Sequence, residues 1–194
     1  MENLLVNAAT AFGLIVAAEM GDKSQLVCMG LAARHRGWPV LLGATAAFAL
    51  LSLIAVVFGA SVDHWLPDWL VAAVVAVLFT VFAVQSWRAE PEPLETVAEK
   101  PGHGVLMNAF LLIFLAEFGD KTQLATAALS SELSPLGVWA GATAALATTS
   151  ALGVVAGRTV LQRLPIHLIH RIAAVLFFAF ALVAAYQALS PFIH

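Results

Sequence analysis

The eight residues Glu-Met-Gly-Asp-Lys-Ser-Gln-Leu, from Glu19 to Leu26, return 98 positions later as Glu-Phe-Gly-Asp-Lys-Thr-Gln-Leu, from Glu117 to Leu124. Both copies lie inside long apolar segments. A charged residue at the centre of a membrane helix costs roughly 2.5–3.5 kcal/mol, so six of them cost on the order of 15–20 kcal/mol before any pairing. A cost of that size, met twice at a fixed offset, marks a functional site. It also requires the fold to be built from two related halves.

The repeat extends past the motif. Residues 11–33 match 109–131 at 12 of 23 positions without a gap. Gly43-Ala-Thr-Ala-Ala47 returns as Gly141-Ala-Thr-Ala-Ala145, and Ala76-Val-Leu-Phe79 returns as Ala174-Val-Leu-Phe177. Pro67 corresponds to Pro165. Of the 194 residues, 61% are hydrophobic and 11% are charged, and the mean hydropathy is +0.93. Soluble domains carry about 25% charged residues. The chain therefore reads as an integral, all-α membrane protein.

Six apolar segments are long enough for a hydrocarbon core, which takes about 20 helical residues. They cover roughly 8–31, 39–60, 69–87, 105–129, 136–157 and 168–189. Between the third and fourth lies a stretch with Pro91, Pro93 and Pro101 among Glu90, Glu92, Glu95 and Glu99. It reads as a solvated tether between the halves. The expected organisation is a first three-helix repeat over 1–87, an acidic linker over 88–104 and a second three-helix repeat over 105–194. Three spans per half force the second half to enter from the opposite side, giving an inverted repeat.

Lys and Arg fix the orientation. Arg34, Arg36, Arg88, Lys100, Arg158, Arg163 and Arg171 fall on one side. The other side holds Glu2, Asp63, Asp68 and Glu132 and no basic residue. The positive-inside rule then places the linker in the cytoplasm and both termini outside. A bacterial inner membrane is the expected location. The first apolar run is too long for a signal-peptide core and carries the motif, so no cleaved leader is expected. The net charge of −3 identifies no partner, and no basic run suggests nucleic acid. A single cysteine, Cys28, excludes an intramolecular disulfide and a cysteine-cluster metal site.

On a continuous helix, Glu19 and Asp22 would share one face, about 60° apart, as would Glu117 and Asp120. Gly21 and Gly119 would then admit a close neighbour or a break. Four carboxylates with Lys23 and Lys121 sum to −2, matching one divalent cation. Ser24, Gln25, Thr122 and Gln123 add oxygen donors. His35, His64, His103, His167, His170 and His194 all fall in loops or near span ends, so no imidazole is expected near the acids. Calcium, magnesium or manganese fits such oxygens, whereas copper or zinc does not. No permanent cofactor is expected.

The competing purely structural reading is a clamp, with Glu19–Lys23 and Glu117–Lys121 closing ion pairs four residues apart. It would leave Asp22 and Asp120 unpaired. Met20, Met29 and Cys28 are expected to pack or face lipid. Thr45, Thr143, Ser52 and Ser150 belong either to packing faces or to the ion path. Trp38, Trp65, Trp69, Trp87 and Trp139 suggest interfacial belts.

Both motif copies fit E-x-G-D-[KR]-[ST], in the first and fourth spans. In this the chain resembles the small cation/proton exchanger family that includes the Golgi manganese/calcium transporter of eukaryotes and the bacterial manganese exporter MneA. The resemblance covers nearly the whole chain. It implies export of manganese, and also of calcium in some members, in exchange for protons. It further implies that Glu19, Asp22, Glu117 and Asp120 hold the cation. A channel is the alternative. A metal-dependent membrane enzyme is disfavoured, since neither His-Glu-x-x-His nor Gly-x-Ser-x-Gly occurs.

Overall fold

The computed structural model describes residues 2–62, 66–88, 104–161 and 166–193. Among them are eight helices and no strand: α1 (Glu2–Glu19), α2 (Lys23–Ala32), α3 (Gly37–Val62), α4 (Asp68–Arg88), α5 (Val105–Glu117), α6 (Lys121–Glu132), α7 (Pro135–Leu161) and α8 (Ile166–Ile193). The second four repeat the first four in order. The acidic tether and Trp65 lie outside the described residues.

The first and fourth expected spans are not continuous helices. Each breaks at the motif, between Glu19 and Lys23 and again between Glu117 and Lys121. The cause is local. Gly21 has φ 87° and Gly119 has φ 80°, a left-handed backbone that side chains with a Cβ disfavour. Helices α1 and α2 meet at 76°. Glu19 and Asp22 therefore flank a break instead of sharing a helix face.

Four helices are long and apolar enough to cross a membrane: Gly37–Ser61, Trp69–Arg88, Pro135–Val155 and His170–Pro191. The bent α1–α2 pair makes a fifth span if taken as one, and α5 is apolar but shorter. Large apolar side chains remain exposed along these helices, among them Val57, Phe58, Val77, Val155, Leu182 and Val183. Such a surface suits lipid, not water.

The halves interlock. Helix α1 packs chiefly on α7 and α5 on α3, so each motif helix leans on the opposite half. Glycines permit the approach. A Cβ at Gly141 would strike the Ala8 carbonyl, and one at Gly43 the Leu106 carbonyl, two contacts related by the repeat offset. The Gly-Ala-Thr-Ala-Ala segments are thus close-packing faces. Helices α4 and α8 form the most extensive pair. There Phe79 and its repeat counterpart Phe177 lie 5.6 Å apart between ring centroids, flanked by Phe82 and Phe180.

Cys28 and Met29 are buried in the packing. Trp38, Trp69 and Trp87 are exposed as a belt requires, but Trp139 is not a belt residue alone. Its indole N–H donates to the Ala49 carbonyl at 3.0 Å and ties α7 to α3.

Candidate metal centre

Each helix break is held open by the glutamine of its own motif. The Gly21 N–H donates to Gln25 Oε1 at 2.8 Å, and the Gly119 N–H donates to Gln123 Oε1 at 2.6 Å. The amide nitrogens then reach into the other half. Gln25 Nε2 donates to the Thr149 carbonyl at 3.1 Å, and Gln123 Nε2 to the Leu51 carbonyl at 3.5 Å. Leu51 and Thr149 are themselves repeat counterparts. One bracket is built twice, and Gln25 and Gln123 are brackets, not free donors. Met20 supports the first, its sulfur lying 3.9 Å from Gln25 Nε2.

The breaks bring the acids together. One carboxylate oxygen each from Glu19, Glu117 and Asp120 lies within 4.8 Å of the other two. Two oxygens on one cation at about 2.1–2.4 Å can stand no more than about 4.8 Å apart, so the three suit a single ion. Glu19 is fully buried and Glu117 nearly so, while Asp120 is half-buried. Glu19 Oε1 accepts from Ser24 Oγ and Oε2 from Thr122 Oγ1, both at 2.6 Å. The hydroxyls of both motifs thus converge on one carboxylate, one of them from the opposite half.

Asp22 stands apart from that trio. It is the N-cap of α2, its Oδ1 accepting from the Lys23 N–H at 2.8 Å. Its Oδ2 pairs with the ammonium of Lys121, from the other half. Asp120 occupies the matching N-cap position of α6 but makes no side-chain cap bond, which leaves its carboxylate to the trio. The same-helix clamp that the competing structural reading required between Glu117 and Lys121 gives way to this cross-half pair. The broken helix removes the four-residue geometry the clamp needs.

A cavity of about 150 Å³ opens beside the pair. Asp22, Lys121, Gln85, Ser86 and His170 line it. Here the expectation of no histidine near the acids fails. His170 sits near a span end in sequence, yet α8 packs that end against the site. The available signal was a lapse in the repeat, since Gln85, Ser86 and His170 correspond to Val183, Ala184 and Ala72. A smaller cavity beside Glu117 is lined by Ser52, Thr122, Gln123 and Thr126. Ser150, the counterpart of Ser52, is buried. The Thr143 hydroxyl is buried as well and has no hydrogen-bond partner among the described residues.

The chain matches the family model described as "Divalent cation/proton antiporter GDT1" twice, over residues 7–93 and 105–191. The chain belongs to the GDT1 family. Protein PAM71, chloroplastic, of Arabidopsis thaliana is 33% identical over 204 residues, covering 90% of this chain and 55% of its own. GDT1-like protein sll0615 of Synechocystis is 31% identical over 192 residues, covering 88% of this chain and 92% of its own. The chain spans 55% to 60% of the length of the plant relatives PAM71 and GDT1-like protein 1 of rice. No solved structure matches it. The family is described as one of divalent cation/proton antiporters, and four helices of this chain are long and apolar enough to cross a membrane.

Proposed function

We propose that this protein exports a divalent cation, manganese foremost and calcium second, from the cytoplasm in exchange for protons. The observation that carries the reading is the convergence of Glu19, Glu117 and Asp120 within 4.8 Å, with Asp22 held one ion pair away. All four are the site acids. Ser24 and Thr122 orient Glu19, and Gln25 and Gln123 hold the breaks open. The donors are oxygens, which suits a hard dication. Manganese is placed first on the resemblance of the doubled motif to exchangers that export it, and carboxylate oxygens within 4.8 Å of one another accept either ion. The cation is substrate, and no permanent cofactor is invoked.

The architecture in this reading is six spans in two inverted halves, 1–87 and 105–194, joined by the cytoplasmic linker 88–104. The broken α1–α2 and α5–α6 pairs each count as one span. Both termini face outside, and the membrane is a bacterial inner membrane. Helix C-terminal ends at Glu19 and Glu117 add partial negative charge beside the ion, as broken transporter helices do. The cavity beside Asp22 is lined by Ser86 and His170, neighbours in sequence of Arg88 and Arg171, which the positive-inside rule puts on the cytoplasmic side. Helix α1 packs on α8, whereas α5 has no comparable contact with α4 among the described residues, which supports a state open to the cytoplasm.

Exchange follows from competition. Protons and the cation need the same carboxylate oxygens, so loading one releases the other. Rocking of the halves carries whichever is bound. The test is calorimetric titration of the purified protein with manganese in two buffers of different ionisation enthalpy. Proton release on binding is expected, and it should disappear with Glu117→Gln. Manganese binding without proton release would contradict the exchange mechanism.

A further inference from the structure

We propose that Lys121 is a tethered competitor for the Asp22 carboxylate, and that this competition excludes monovalent cations from the site. The inference rests on the cation-binding reading of the four acids. It assigns separate roles to two lysines that the motif presents as equivalent.

Both oxygens of Asp22 are in use. Oδ1 caps α2 through the Lys23 N–H, and Oδ2 carries the Lys121 ammonium. Asp22 consequently lies outside the trio formed by its three fellow acids. A cation that recruits Asp22 must displace the ammonium. That ammonium is held on the same chain, at an effective concentration in the millimolar range or above. Sodium or potassium would exchange one positive charge for another and gain little Coulomb energy. A dication brings a second charge, which the trio and Asp22 together can use.

The displaced ammonium has somewhere to go. The cavity beside the pair offers the Gln85 carbonyl, the Ser86 hydroxyl and His170. His170 Nδ1 is buried and has no hydrogen-bond partner among the described residues. A buried nitrogen without a partner is costly, and in the tautomer protonated at Nε2 it accepts a hydrogen bond. These acceptors serve Lys121 only. At the positions that correspond to them for Lys23, the repeat has Val183, Ala184 and Ala72. Lys23 itself is exposed, whereas Lys121 is half-buried within the cavity wall.

The test is manganese binding and flux with purified full-length protein, with and without a large excess of sodium. In the wild type, sodium should leave both unchanged. Lys121→Gln should bind manganese roughly tenfold tighter without sodium and become sodium-inhibited, because the vacated carboxylate is open to any cation. Lys121→Gln/Asp22→Asn should lose that sodium sensitivity. Lys121→Arg keeps the charge and pairs with a carboxylate through two N–H groups, so it should stay sodium-insensitive and bind manganese more weakly. If Lys121→Gln fails to insert, Lys121→Arg decides, and unchanged manganese affinity there would overturn the proposal. Sodium indifference in a folded Lys121→Gln would also overturn it. Wild type that neither binds nor moves manganese or calcium would instead remove the underlying functional reading.

Discussion

At the residue scale the site is an oxygen cluster whose members are fixed by hydroxyls and glutamines from both halves. Thr122 donates to a fully buried carboxylate 103 residues away in sequence. Supporting partners of this kind are worth about 10–100-fold in metal affinity. Thr122→Val should weaken manganese binding by that amount, read by calorimetry, while leaving the protein folded. Gly21 poses a different constraint. At φ 87°, alanine is strained by roughly 1–2 kcal/mol and would misplace both Glu19 and Asp22. Gly21→Ala should lower the melting temperature in detergent and reduce transport together. The acids stood out in the sequence because charge repeated inside apolar runs is costly, and the structure brings three of them, Glu19, Glu117 and Asp120, together. The Lys121–Asp22 pair did not stand out. Sequence spacing reveals neighbours along one helix, and these two residues meet only because the helices break and the halves interlock.

At the element scale, the feature that hydropathy misses is the break itself. Residues 8–31 and 105–129 read as uninterrupted spans because apolar residues continue on both sides of the motif. Gly21 and Gly119 signalled two outcomes, close approach or interruption, and only their left-handed backbone distinguishes them. Close approach belongs to other glycines. A methyl at Gly43 would meet the Leu106 carbonyl and the Ala109 side chain, so Gly43→Ala should destabilise by about 1–3 kcal/mol through overpacking. Gly13 has nothing within 4 Å of its added Cβ and sits inside α1. Gly13→Ala should therefore be neutral or stabilising, by up to about 1 kcal/mol. Thermal unfolding of the two variants side by side checks these packing contacts. Equal destabilisation would contradict them.

At the scale of the whole molecule, two similar halves enclose one site without being identical around it. The repeat made the all-helical plan readable, and among the described residues the second four helices follow the first four in order. Its lapses carry the rest. Gln85, Ser86 and His170 stand where the other half has apolar residues, and they line the cavity beside Asp22 and Lys121. Under the proposed orientation that side is the cytoplasmic one, where an exported ion would enter. Manganese flux into proteoliposomes under an imposed pH gradient decides whether the acid cluster exchanges a cation for protons. Uptake driven by the gradient is expected, abolished by Asp120→Asn and by collapse of the gradient. Manganese movement that proceeds equally well without the gradient would contradict exchange and identify a channel.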